Sequence, residues 1–321
     1  SLDRALEIVE AAARVGAHGL KLQTYTADTI TLDVKEGEFF IDDKDNPWKG
    51  KSLYELYQEA YTPWEWHEPI MKRANELGML CFSTPFDDTA VDFLEELDVP
   101  AYKIASFENT HLPLLKKVAA TGKPMIISTG MSDLEEIDKT VNFVKKENVS
   151  FVLLHCNSTY PSPVELLNLN LIPKLREKFN VPVGYSGHEP IIIPSVTAAN
   201  LGSVIIERHI TLDKTMEGLD QSASLEPDEF KQLVQFIRDS EKSKGSALKK
   251  MTRGEILQRE VLGKSIVCCS NMKKGEVFSS KNIQVKTPAR GLSPQYYFDL
   301  IGKISSRDIK KGEYLQNDDL E

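Results

Sequence analysis

The sequence predicts an α/β fold: a (β/α)8 barrel lacking its first strand in this chain, followed by a small pseudo-symmetric domain of a different kind. Three observations predict it. Apolar strand-like runs alternate with helical patterns for roughly the first 245 residues, and regular βα alternation means a parallel sheet with helices outside. Seven strands can be counted and a helix comes first, whereas a (β/α)8 barrel has eight strands, each preceding its helix. The missing strand is expected before Ser1. Residues 259–321, by contrast, hold a short internal repeat. An open doubly wound sheet is the alternative.

The first helix is expected over Leu2 to Val15, with Leu2, Ala5, Leu6, Val9, Ala12 and Ala13 on one face and Ser1 as N-cap. A strand follows over Gly19–Tyr25. Next comes a long insertion rich in aromatics and acids (Phe39, Phe40, Trp48, Tyr54, Tyr57), running into a helix near Trp64–Leu77. The insertion reads as a lid or as extra core, core being the safer expectation. Further strands are expected near Leu80–Ser83, Ala101–Ala105, Met125–Ser128, Phe151–His155, Val183–Ser186 and Val204–Glu207, the last helix falling near Asp228–Glu241. The charged, poorly periodic segment around Ser240–Leu257 reads as a linker, so the domains are expected at 1–245 and 259–321 with 246–258 between them. The repeat pairs Met272-Lys273-Lys274-Gly275-Glu276-Val277 with Ile309-Lys310-Lys311-Gly312-Glu313-Tyr314. Glycine in each turn supplies a positive φ, and two copies make a pseudo-symmetric domain.

Composition narrows the function. A chain of 321 residues suggests about two domains. Hydrophobic residues at 41% and charged residues at 27% exclude a disordered or fibrous chain. No apolar run reaches the roughly 18–20 residues of a membrane span, and no signal peptide is visible. A net charge of -9 argues against nucleic acid as a partner. Four cysteines with no CxxC pair make no disulfide framework, and a cytoplasmic location is expected. Residues 259–321 carry 11 basic and 8 acidic side chains, opposite in sign to the rest of the chain.

In barrel enzymes the active site lies at the C-terminal ends of the strands. The polar residues there are Lys21, Gln23 and Tyr25; Ser83 and Thr84; Lys103, Ser106 and Glu108; Ser128 and Thr129; His155, Asn157, Ser158 and Tyr160; Ser186 and His188; Glu207 and His209. Lys21 and Lys103 point into one mouth, and two ammonium groups there repel unless an anion lies between them. With Thr84, Ser106, Ser128, Ser158 and Ser186 they describe a phosphate or carboxylate cradle; ordinary surface lysines are the alternative. His188 and His209 end consecutive strands, close enough to share one Mn²⁺, Fe²⁺, Co²⁺ or Zn²⁺ ion, or to be a hydrogen-bonded structural pair. His18, His67 and His111 look incidental, and His155 suits a packing role. Asp220 lies in Glu217-Gly218-Leu219-Asp220-Gln221, where it either faces the site or makes a turn.

Several runs together resemble the sialic acid (nonulosonate) synthase family. They include Lys21-Leu22-Gln23-Thr24-Tyr25-Thr26, Cys81-Phe82-Ser83-Thr84-Pro85-Phe86 and Ala101-Tyr102-Lys103-Ile104-Ala105-Ser106. Others are Ile126-Ile127-Ser128-Thr129-Gly130-Met131, Gly184-Tyr185-Ser186-Gly187-His188-Glu189 and Ile206-Glu207-Arg208-His209. The tail resembles the antifreeze-like (SAF) domain that closes these enzymes. The resemblance implies a transferase that condenses phosphoenolpyruvate with the open-chain aldehyde of an N-acetylated amino sugar. It implies that Lys21, Thr84, Lys103, Ser106, Ser128, Ser158 and Ser186 hold phosphoenolpyruvate. His188 and His209 would bind a divalent metal, usually Mn²⁺, while Gln23, Glu108, Tyr160 and Asp220 contact the sugar. A domain-swapped homodimer is implied as well.

There are departures. The family's opening strand carries a catalytic Glu and an Asn-His pair, and this chain starts after that motif. The family's small domain often presents an Arg before a Pro; here Thr287 precedes Pro288, and Arg290 is the nearby substitute. The Lys21–Thr26, Phe39–Ile41 and Leu53–His67 stretches look like pseudaminic acid synthases, whereas Tyr185–Glu189 and Asp213–Pro227 look more like N-acetylneuraminate or legionaminate synthases. The expected subtype is pseudaminic acid synthase. A non-catalytic remnant that binds sugar or dimerises is the alternative from another class.

Overall fold

The computed structural model describes residues 1–43, 48–216, 218 and 220–319. It divides into two compact units, Ser1–Gly245 and Ser246–Glu321.

In the first unit, helix α1 (Leu2–Arg14) precedes strand β1 (Gly19–Thr24), and Ser1 caps the helix by accepting the Arg4 N–H. Helices α2 (Ala27–Ile30), α3 (Leu53–Ala60) and α4 (His67–Glu76) lead to β2 (Leu80–Pro85). Then α5 (Asp88–Glu96), β3 (Tyr102–Ile104), α6 (Leu112–Ala120), β4 (Met125–Ser128), α7 (Leu134–Lys146), β5 (Phe151–Cys156), α8 (Leu171–Phe179), β6 (Val183–Gly187), α9 (Ile193–Asn200) and β7 (Ile206–Arg208) follow, and α10 (Pro227–Lys244) ends the unit. The seven strands form one parallel sheet in chain order, β1 to β7. This is the curled α/β half-barrel expected from the alternation.

Strand alternation sorts the side chains. Leu20, Cys81, Tyr102, Ile104, Met125, Ile127, Leu153, Val183 and Tyr185 face the helices and form the main core. A buried polar network sits in the same layer: Thr24 Oγ1 contacts His67 Nε2 at 2.8 Å and Ser83 Oγ at 2.6 Å. His67, unremarkable in sequence, is thus a buried tie between α4 and the sheet. The intervening positions Lys21, Lys103, Ser128, Ser186 and Glu207 face the concave side. Between the β1 and β7 edges lies a cavity of about 770 Å³, lined by Lys21, Phe82, Ile126 and Glu207 and by apolar residues of α1 and α10 such as Val9 and Leu233.

The aromatic insertion divides its residues. Trp64 stacks on Phe93 with centroids 4.7 Å apart and Tyr57 meets Tyr25 edge-on, as extra core; Phe40 is exposed. The segment expected to be a linker is partly helical. α10 runs to Lys244, and α11 (Arg253–Leu262) starts inside it, because Thr252 and Glu255 form a capping box that satisfies its first N–H groups.

In the second unit, β8 (Ser265–Cys268) pairs antiparallel with β9 (Ile283–Lys286), and the short α12 (Tyr297–Leu300) follows. Ile266, Phe278, Ile283, Ile309 and Leu315 make its core. The repeat is structural: Gly275 and Gly312 have φ of 86° and 92°. Asn271 accepts the Lys311 N–H while Asp308 accepts the Lys274 N–H, both at 2.9 Å, so each copy caps the other's turn. All four cysteines are free thiols. Among the described residues no helix is long and apolar enough to cross a membrane.

Candidate active site

The centre of the concave face is a carboxylate. Glu207 Oε1 lies 3.2 Å from Lys21 Nζ and 3.7 Å from Lys103 Nζ, and accepts the Ser186 hydroxyl at 2.9 Å. The Ser186↔Glu207 pairing of β6 and β7 sets these last two side by side. Lys103 is almost wholly buried and also donates to Ser128 Oγ at 2.6 Å and to its neighbour's carbonyl, Ile104 O, at 3.0 Å. Burial pulls its pKa down to about 8; Glu207 opposes that and Lys21 adds to it. Burial alone would raise the Glu207 pKa, but Lys103 and Lys21 outweigh it and hold the carboxylate well below its ordinary value. The anion that two converging lysines require is therefore present in the chain itself. Sequence reading placed Glu207 at a strand end without giving it a part in the site.

Ser128 and Ser186 thus bring their hydroxyls to this triad. Thr84 Oγ1 is buried with no hydrogen-bond partner. Ser106 and Ser158 converge over Gly130, where an added Cβ would collide with Ser158 Oγ and lie 2.7 Å from Ser106 Oγ. Glycine at this position leaves the hydroxyls room.

His188 and His209 lie beside the triad with ring centroids 5.3 Å apart. His188 Nδ1 is 2.8 Å from Asn157 O. A carbonyl only accepts, so Nδ1 carries the proton and Nε2 keeps its lone pair. Burial pushes both imidazoles down to about 4, with smaller lowering by His209 on His188 and by Lys21 on His209. Both are neutral at pH 7. Tyr160 packs against His188 with ring centroids 4.1 Å apart and planes tilted by 31°, and Asp220 Oδ2 lies 3.6 Å from His209 Nδ1. Glu217 and Leu219 of the same loop lie outside the described residues. Among the described residues no group of three or more His, Cys, Asp and Glu side chains is arranged to hold a metal ion.

The remaining sequence candidates lie farther from the triad. Gln23 is exposed at the end of β1, two residues beyond Lys21 and on the same face. Glu108 is held by His111 Nδ1 at 2.6 Å. Arg290, exposed in the second unit, donates its backbone N–H to Ser265 Oγ. His155 contacts Leu167 O at 2.6 Å, a packing role. Sequence reading missed an aromatic wall at the ends of β1 and β2: Tyr25 packs edge-on against Phe86, which stacks on Phe107 at 5.5 Å. Burial, with smaller contributions from Tyr57 and Asp220, pushes the Tyr25 phenol up to about 12.

Comparison with known proteins finds relatives over the whole chain. The chain is 41% identical to pseudaminic acid synthase of Campylobacter jejuni over 322 residues, covering 100% of this chain and 93% of that protein. It is 36% identical to N,N'-diacetyllegionaminic acid synthase of the same organism, covering 98% and 95%. The crystal structure of N-acetylneuraminic acid synthetase from Leptospira borgpetersenii, in complex with citrate, superposes with a TM-score of 0.69 at 30% identity, covering 80% of this chain and 85% of that one. The NeuB family model matches residues 8–249 and the SAF domain model residues 263–321. With a lysine-bound carboxylate, a hydroxyl cradle and a histidine pair on the concave face of its sheet, the chain belongs to the NeuB family and carries a SAF domain at its C-terminal end.

Proposed function

We propose that this protein is a nonulosonic acid synthase that condenses phosphoenolpyruvate with the open-chain aldehyde of an N-acetylated amino sugar, and that the sugar is the pseudaminic acid precursor, a 2,4-diacetamido-2,4,6-trideoxyhexose. The observation that carries the reading is the pair of ammonium groups set by Glu207, with the Ser128 and Ser186 hydroxyls on the same triad and the Thr84 hydroxyl buried without a partner. Two ammonium groups against one carboxylate leave the site net positive, which with the hydroxyl donors suits a small anion. Lys21 and Lys103 offset charge on the phosphate and carboxylate as it moves during condensation. Thr84, Ser106, Ser128, Ser158 and Ser186 orient the same anion.

His188 and His209 suit a divalent metal: both rings are neutral, and the His188 Nδ1–H bond to Asn157 O leaves Nε2 free to ligate. Mn²⁺ matches two imidazoles with the remaining positions filled by oxygen. Bound there, the metal supplies Lewis-acid polarisation of the aldehyde oxygen. Gln23, Glu108, Tyr160 and Asp220 then border the sugar, with Asp220 the candidate for proton exchange with a sugar hydroxyl. The wall of Tyr25, Phe86 and Phe107 favours the 6-deoxy sugar. Each buried CH2-sized group contributes about 0.8 kcal/mol, and a hydroxyl against the same surface loses roughly 1–3 kcal/mol of hydrogen bonding.

The assembly that fits is a homodimer in which residues 259–321 of one chain cover the barrel mouth of the other. That cover excludes water from the reactive aldehyde. The test of substrate is phosphate release from phosphoenolpyruvate with each sugar, by protein that includes the family's opening strand with its Glu and Asn-His pair. A higher kcat/KM with the diacetamido sugar supports the reading; a clear preference for N-acetylmannosamine overturns the sugar, and no phosphate release with any such sugar overturns the reaction.

A further inference from the structure

A second ion pair lies directly behind the histidines. The Arg208 and Glu189 side chains are both fully shielded from solvent. Arg208 Nη1 donates to Glu189 Oε1 at 2.8 Å, to Ser195 Oγ at 3.0 Å and to Ile191 O at 3.0 Å, and Nη2 donates to the backbone oxygen of Glu189. Glu189 Oε2 accepts the Tyr185 hydroxyl at 2.8 Å. Strand alternation turns Glu207 into the mouth and Arg208 away from it, so neither Arg208 nor its partner touches the cradle.

Yet Glu189 directly follows His188, and Arg208 directly precedes His209. The guanidinium therefore fastens the turn after one histidine to the strand that delivers the other. Gly187 permits this. A Cβ there would lie 2.6 Å from Glu189 Oε2 and 2.7 Å from Tyr185 Cε1, so the carboxylate folds back behind the strand only because no side chain is in the way.

Stability alone does not account for the pair. Desolvating two full charges offsets most of their attraction, and packed apolar residues of similar volume serve stability as well or better. Apolar side chains such as Val183 and Ala198 also pack in this layer. What a planar guanidinium adds is direction: its several N–H bonds fix the 189–191 turn against β7 in one geometry.

We propose that Glu189 and Arg208 are positioning residues that hold His188 and His209 in the arrangement needed to share one divalent cation. This rests on the reading of those histidines as metal ligands. His188 is then restrained from both sides, by Asn157 O at its ring and by the ion pair behind its backbone.

The test is Mn²⁺ titration of the metal-free full chain, followed by electron paramagnetic resonance, with melting temperature and phosphoenolpyruvate affinity measured in parallel. Glu189→Leu/Arg208→Met removes the pair and leaves no orphaned charge. It is expected to melt close to wild type and to bind phosphoenolpyruvate normally without metal, while Mn²⁺ affinity falls about ten-fold or more, as for other loss of support around metal ligands. Tyr185→Phe, which removes one hydrogen bond from Glu189, is expected to weaken Mn²⁺ by about three-fold. Wild-type Mn²⁺ affinity in the folded pair variant overturns the proposal. Should that variant not fold, Tyr185→Phe decides, and an unchanged dissociation constant there overturns it. Wild-type Mn²⁺ affinity in His188→Ala/His209→Ala removes the metal assignment itself and the positioning role with it, a result distinct from failure of the pair alone.

Discussion

Lys21 on β1 and Glu207 on β7 meet at 3.2 Å although their strands are the two edges of the sheet. Side chains thus join what backbone pairing leaves apart, and the join is made at the mouth, where Lys103 also reaches the same carboxylate oxygen. The site is charged and organised by the chain's own residues before any ligand arrives.

The buried lysine makes anion binding depend on pH. Lys103 titrates at about 8, well below an ordinary lysine, because burial penalises its charge. Only the protonated form grips an anion, so phosphoenolpyruvate affinity is expected to be full below about pH 8 and to fall as pH rises through it. Glu207→Gln removes the main influence that holds this pKa up, so the midpoint is expected to move to lower pH. Binding calorimetry of both proteins across the range decides it; comparison at each pH removes the titration of phosphoenolpyruvate itself. A midpoint that stays put refutes the coupling.

Lys103→Met is expected to weaken phosphoenolpyruvate about ten-fold or more, since a charge-assisted hydrogen bond contributes roughly 1.5–3 kcal/mol. An unchanged dissociation constant would remove Lys103 from the cradle.

Thr84→Val separates stability from binding. The Thr84 hydroxyl is buried without a partner, and leaving such a group unsatisfied costs roughly 1–3 kcal/mol. Valine has nearly the same shape, so the variant is expected to melt at or above the wild-type temperature while binding phosphoenolpyruvate several-fold more weakly. Lower stability with unchanged binding would make Thr84 structural.

For the metal, His188→Ala/His209→Ala is expected to lose bound Mn²⁺ in elemental analysis after dialysis. Retention at wild-type stoichiometry would place the ion elsewhere.

Light scattering at micromolar concentration is expected to give the mass of a dimer. The second unit exposes Leu248, Met251, Leu257, Val261, Leu262 and Phe298, the last at 84%, apolar side chains that a dimer contact would cover. A monomer would reject the arrangement.

Much of this was legible from residue order. Met125–Ser128 stands as a strand in the structure at the bounds its apolar pattern predicts, and α1, the seven-strand count and the turn glycines of the repeat follow the same local rules. The C-terminal strand ends pointed to Lys21, Lys103, His188 and His209 because a parallel α/β sheet presents those positions together. The helix that begins inside the expected linker was not legible, because there the Thr252–Glu255 capping box outweighs a poor hydrophobic period. The strand-end position of Glu207 was legible, but not its contact with both lysines, nor the Arg208–Glu189 pair. Periodicity and capping arise between residues a few positions apart, so the chain determines them by itself. Which lysine finds which carboxylate depends on how far a sheet curls and which strands face each other across it, and that is settled only when β1, β3 and β7 close around one point.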